Sequence, residues 1–130
     1  MTGPIKIEIA AGELIDKITI LEIKAERIED PQKLANVLAE LEVLSQSREA
    51  DVIASPELDD LTARLKTVNQ TLWEIEDDIR ACERAKDFGA EFIRLARAVY
   101  QTNDQRAGLK RQINVLLGSR FAEEKSYQPY

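Results

Sequence analysis

The densest run of reactive side chains in the sequence is Trp73-Glu74-Ile75-Glu76-Asp77-Asp78. On a helix, Glu74 and Asp78 stand one turn apart on a single face, and Asp77 shares a neighbouring face with Arg80. Carboxylates stacked in this way, facing further acids across a bundle, form a donor set for Mg²⁺, a hard cation that takes oxygen ligands. Glu22 and Glu26 would supply the second pair. In that reading Glu22, Glu26, Glu74, Asp77 and Asp78 hold the metal, and Arg106 and Lys110 meet the phosphates of a nucleotide or other phosphorylated ligand. The plainer reading of an acidic run is a solvated helix face with no metal and no cofactor.

A second constellation comes from an interruption. Residues 88 to 116 repeat apolar side chains at 4-3 spacing, except at Thr102 and Arg106. If the chain doubles back near residue 88, these two lie across from the stretch between Val68 and Asp77. Arg106 would then reach the acidic run or the Trp73 ring. A charge at such a seam must be paired, because isolated charge is disfavoured there. As structure, the layer fixes register. As a site, it is a polar pocket lined by Trp73, Asp77, Asn103 and Arg106.

The remaining chemistry is sparse. There is no histidine among the 130 residues, which removes the commonest general base and the usual triads. The single cysteine, Cys82, sits at a seam position, where a thiol behaves as a small hydrophobe. Whether the protein is an enzyme stays open at this point. A net charge of −6 argues against general nucleic-acid affinity, which needs a basic surface. No stretch approaches the roughly 18 apolar residues of a membrane span, and Met1 to Glu8 lacks the apolar core of a signal peptide. A cytoplasmic protein without nucleic-acid or membrane partners is expected.

The elements that must position these residues are helical. Hydrophobic residues make up 44% of the chain and charged residues 32%, a mix suited to long amphipathic helices in a single domain. Ile5, Ile7 and Ile9 alternate with Lys6, Glu8 and Ala10, the period of a half-buried strand. That strand needs a partner, either the tail Ser126-Tyr127-Gln128 or the same strand of a second subunit; otherwise residues 1–11 are an extended arm. A first helix is expected over 12–29, stopped by Asp30-Pro31. A second follows over 31–49, with Asp30 as N-cap and Pro31 at its first position. Ser55 then caps a third helix over 56–86, whose seam runs Leu58, Leu61, Leu65, Val68, Leu72, Ile75, Ile79, Cys82, the heptad spacing of a coiled coil. A fourth helix is expected over 88–117, ending at Gly118, with a tail over 118–130. The fold class is therefore all-α: a helical bundle built on a long antiparallel hairpin of helices three and four, preferred over one continuous helix, with a short N-terminal extended arm.

The first helix carries Leu14, Ile18, Leu21, Ala25 and Ile28 on one face, with Ile20 and Ile23 opposite them between Asp16 and Arg27. A helix apolar on two sides is either central or contacts another subunit. Asp16, Ile20, Ile23 and Arg27 therefore mark a candidate interface, for a homodimer or a protein partner. Residues 57–87 carry nine acidic and five basic side chains, and residues 90–120 two acidic and six basic. Helices three and four are thus expected to pair along their flanks.

The segment Gly12-Glu13-Leu14-Ile15-Asp16-Lys17-Ile18-Thr19-Ile20-Leu21-Glu22-Ile23-Lys24, with Glu26-Arg27-Ile28, resembles the opening of a small bacterial family, domain of unknown function 6165. So do Phe92-Ile93-Arg94-Leu95-Ala96-Arg97, Val99-Tyr100, Asn103-Asp104, Lys110-Arg111-Gln112-Ile113-Asn114 and Glu123-Glu124-Lys125-Ser126-Tyr127. The resemblance spans nearly the whole chain. It implies that polar residues inside those segments matter to the fold or function of the family, and it implies no activity. Two helical enzyme classes share fragments. Glu74, Asp77 and Asp78 are similar to the Mg²⁺-holding acids of all-α nucleotide pyrophosphohydrolases, and Ile15-Asp16 with Arg27 to helical chorismate mutases. Neither match carries a motif that transfers a site. The function expected is that of a non-enzymatic helical interaction or oligomerisation module, with a small metal-dependent enzyme as the alternative.

Overall fold

The computed structural model describes residues 2–130; Met1, at the head of the arm, lies outside the described residues. Four helices follow one another: α1 Ala11–Arg27, α2 Pro31–Asp51, α3 Pro56–Ala85 and α4 Ala90–Leu117. No strand forms among the described residues. The alternation of Ile5, Ile7 and Ile9 is therefore expressed as an exposed arm without secondary structure, and the tail does not pair with it. Among the described residues, no helix is long and apolar enough to cross a membrane.

Local chemistry sets the helix ends. The Asp30 carboxylate accepts from the Lys33 amide at 2.9 Å and the Ser55 hydroxyl from the Leu58 amide at 3.1 Å, each ahead of a proline at the first helical position. At the end of α3, Lys86 takes a left-handed conformation (φ 55°), and the Asp87 amide bonds back to the Cys82 carbonyl at 2.9 Å. Asp87 is not the N-cap of α4; that position is Gly89. The Asp87 carboxylate accepts instead from the Gly89 amide at 3.0 Å, tightening the turn, and α4 begins at Ala90. Gly118, also left-handed, closes α4.

α1 is the central helix, touching α2, α3 and α4. That position explains its two apolar sides: Leu14, Ile15, Ile18, Leu21 and Ile23 are all buried. Ile15 joins Leu58, Leu61 and Leu65 of α3 and Leu109 and Ile113 of α4 in the main core cluster. The early turns of α3 thus meet the late turns of α4. Full burial of each such side chain contributes about 1.5–3 kcal/mol. Towards its other end the α3 seam loosens: Val68, Leu72, Ile79 and Cys82 are only partly buried, while Asn69, just off the seam, is buried. On α4, Leu116 is exposed and Asn114 is buried in its neighbourhood. α2 packs on α1 alone among the helices, through a stripe in which only Val37 is fully covered.

The charge complementarity of α3 and α4 is not expressed as pairing between them. Among the described residues, their ion pairs run within one helix (Asp60–Arg64, Glu76–Arg80, Glu91–Arg94) or out to other elements. α1 takes the intervening place: Glu26 meets Lys66 at 2.5 Å and Arg27 meets Glu74 at 3.4 Å on its α3 side. On its α4 side Glu13 meets Lys110 and Asp16 meets Arg106.

Candidate functional site

Four polar residues recur every fourth position along α4: Thr102, Arg106, Lys110 and Asn114. That spacing places them on one face, and the face lies against α1. Asn114 accepts the Gly12 amide through its side-chain oxygen at 2.7 Å. Lys110 Nζ lies 2.8 Å from Glu13 Oε2. Arg106 grips Asp16 with two parallel bonds, Nε to Oδ1 at 2.9 Å and Nη2 to Oδ2. This fork-to-carboxylate geometry suits arginine and not lysine. α3 closes the set: Asn69 Nδ2 donates to Asp16 Oδ1 at 2.9 Å and to Thr19 Oγ1 at 3.0 Å, and Thr19 donates to the Asp16 carbonyl at 2.8 Å.

Asp16 and Thr19 are wholly enclosed. A buried carboxylate survives there because each of its oxygens meets a donor. Among the described residues no buried side-chain nitrogen or oxygen is left without a partner. The Arg106 guanidinium is held above its ordinary range by its bond to Asp16, which outweighs burial. For Lys110, burial pulls the ammonium down, but its bonds to Glu13 and Glu123 win and leave it raised. Glu123, in the tail after α4, is correspondingly lowered, chiefly by its 2.9 Å bond to Lys110. The tail is also fixed further on, where Tyr130 stacks on Tyr100 and donates to Asp104 at 2.5 Å.

Beside this ladder opens a cleft of about 370 Å³ between α1, α3 and α4. Trp73, Asp77, Asn103 and Arg106, the four residues of the sequence-derived polar layer, all line it, together with Ile20 and Ile23. Arg106 does not reach the acidic run or the indole ring. Its carboxylate comes from α1, and the cation over Trp73 is Arg27, at 6.0 Å. The bonds to Asp16 occupy two of the five guanidinium N–H donors, leaving three that Asp16 does not engage.

The other constellations separate. Of the proposed interface, Asp16 and Ile23 are covered by the chain's own helices and only Arg27 is exposed. The two-sided apolar pattern of α1 reports its central place and not an outward surface. Among the described residues, no three Asp or Glu side chains converge as a metal-binding group; Glu26 and Glu74 face Lys66 and Arg27 instead. Sequence reading missed Asn69, Glu13, Lys110 as a buried group, and Glu123. The available signal was the four-residue polar spacing on α4, which heptad counting treats as noise.

Fold and site together define an all-α bundle with a polar ladder at its centre and a cleft beside it. The chain belongs to the family of unknown function DUF6165, whose model matches residues 5–129. No curated protein matches it. No solved structure matches it. Gly12, Glu13, Asp16, Thr19, Lys110, Asn114 and Glu123, the greater part of the ladder, fall inside the segments that carry the family resemblance.

Proposed function

We propose that the protein is a non-enzymatic, cytoplasmic helical binding module whose working site is the cleft between α1, α3 and α4. The observation that carries this reading is the division of the cleft wall. Ile20, Leu72 and Trp73 offer an apolar side, and Asp77, Asn103 and Arg106, with Glu76 and Arg80, a polar one. Its volume of about 370 Å³ lies within the roughly 300–1,000 Å³ of small-molecule sites. Arg106, immobilised by Asp16, presents its unused donors to a carboxylate at no further ordering cost. Asp77 suits an ammonium group. The ligand class that matches both is a small zwitterion with an apolar side chain, such as a free amino acid.

Trp73 is the only tryptophan and lines the cleft, so its fluorescence reports occupancy. Titration with aliphatic amino acids is expected to change the emission saturably. The same side chains lacking the carboxylate or the amine should bind more weakly. Asp77→Asn and Asn103→Ala should each weaken binding without altering helix content. An emission unaffected up to about 10 mM, a concentration at which even millimolar affinity would register, would remove the reading.

The alternative, an Mg²⁺-dependent enzyme acting on a nucleotide or phosphorylated ligand, draws on the same acidic run. It is less well supported, because Glu26 and Glu74 are engaged by cations. Calorimetry with Mg²⁺ or Mn²⁺, with and without nucleotide, tests it directly; heat on metal addition would favour it over the cleft reading.

A further inference from the structure

The arm preceding α1 has no role in the cleft, and its chemistry is unusual for an exposed segment. Ile5 and Ile7 are 79% and 75% exposed, and Ile9 37%. From Thr2 to Ile9 the backbone makes no hydrogen bond to any other described residue. Unpaired backbone beside alternating isoleucine is the template for strand addition.

The order of residues selects the partner. Ile5-Lys6-Ile7-Glu8-Ile9 is self-complementary when two copies run antiparallel about Ile7. Ile5 then faces Ile9, Lys6 faces Glu8, and Ile7 faces its own copy. One side of the ribbon collects six isoleucines, and the other carries two cross-strand ion pairs of opposite sign. With Ile7 as the non-hydrogen-bonded pair, Lys6 and Glu8 exchange all four central backbone bonds. The ladder ends where Pro4, which has no N–H, falls opposite Ala10. A parallel in-register pairing would set Lys6 against Lys6 and Glu8 against Glu8.

The arm's root packs on the core, and exposed apolar side chains occur elsewhere on the bundle. Ala11, Val52 and Leu117 all pack on one core cluster, and the Ala11 amide reaches Ser119 at 3.2 Å. Ile53 and Leu116, next to Val52 and Leu117 in sequence, and Phe121 in the tail are exposed. A two-stranded ribbon is marginal by itself; its isoleucine face needs apolar cover.

We propose that residues 5–9 pair antiparallel with the same residues of a second copy, making an isologous dimer with its two-fold axis at Ile7. This inference stands apart from the cleft and survives or fails without it. Sedimentation or light scattering on the full chain is expected to show a dimer. Ile7→Asp, which sets two charges face to face on the axis, should give a monomer of unchanged helix content. Lys6→Glu and Glu8→Lys should each weaken the dimer about tenfold or more, since both pairs become repulsive. Mixing these two variants in equal amounts should restore a heterodimer, because every 6–8 pair is then of opposite sign. A monomeric wild-type chain overturns the proposal. So does a dimer that persists in Ile7→Asp, or one whose charge-reversal variants fail to recombine.

Discussion

Gly12 offers a test in which the usual rule for helices should reverse. Alanine in place of a helical glycine ordinarily stabilises by up to about 1 kcal/mol. At Gly12, however, α1 lies against the backbone of α4. A Cβ there would stand 2.9 Å from Asn114 Oδ1 and 3.1 Å from the Lys110 carbonyl carbon, and closer still to that carbonyl's oxygen. Backbone cannot swing aside as a side-chain tip can, so the helices must separate. Overpacking of this kind costs about 1–3 kcal/mol. The separation also stretches the 2.7 Å bond from the Gly12 amide to Asn114, worth about 1 kcal/mol. Set against a reduced propensity gain at the helix's second residue, Gly12→Ala should destabilise by about 2 kcal/mol. For a chain of this length that lowers Tm by roughly 5–10 °C. Gly108, inside α4, is the internal control: a Cβ there meets nothing within 4 Å, so Gly108→Ala should raise Tm by a few degrees, on the order of 1 kcal/mol. Thermal and urea melts at one protein concentration decide the matter. Shifts of the same sign for the two variants would refute the close approach of α1 to α4 on which the ladder depends.

Three further outcomes follow from the ladder and its surroundings. Asp16→Ala removes the partner of half-buried Arg106 and of Asn69, and should destabilise by about 3 kcal/mol, read as a lower urea midpoint; a loss below about 1 kcal/mol would mean that Arg106 is solvated without it. The lowered Glu123 carboxyl contributes tail docking that is fully present above its usual value near 4.5 and is lost as pH falls through the lower folded value. Protease sensitivity of residues 119–130 should therefore rise as the solution is acidified below pH 4.5, and Glu123→Gln should reduce that dependence, leaving the part carried by Asp104 and Glu124. Cys82, whose thiol is raised by burial and by Asp87, Glu91 and Asp78, should react with a disulfide reagent at pH 8 more slowly than a free cysteine; faster reaction would contradict its placement.

Much of the fold was legible because its signals are local. Asp30-Pro31 and Ser55-Pro56 announce helix starts through cap chemistry that needs no tertiary context. The all-helical class follows from apolar periodicity over long segments. The site was legible only in part, and the reason is geometric. Reading α3 and α4 as an isolated pair assigns every polar residue at their seam to the other member of that pair. Arg106 was thus expected against Trp73 or Asp77, when its carboxylate comes from Asp16, ninety residues earlier. Periodicity says which face a residue occupies and not which helix fills the space in front of it. At the N-terminus alternation offers a strand pattern beside the extended arm; a strand needs a partner for its backbone, the chain supplies none, and residues 2–10 lie as the arm.

The packing of α2 against α1, with only the 3.9 Å Arg48–Asp59 ion pair reaching α3, has a consequence for how the molecule opens. The Asp16–Arg106 and Gly12–Asn114 bonds join α1 to α4, and the main core cluster joins α1, α3 and α4. None of them passes through α2. A helix with one fully covered side chain, Val37, can detach while the rest of the bundle stays closed, so the amides of residues 31–51 should exchange with solvent through a sub-global opening of lower free energy than full unfolding. The three remaining helices then form the slowest-exchanging unit. Substitutions on α2 should alter the rate of that partial opening while leaving the slowest core amides, and the geometry around Asp16, untouched.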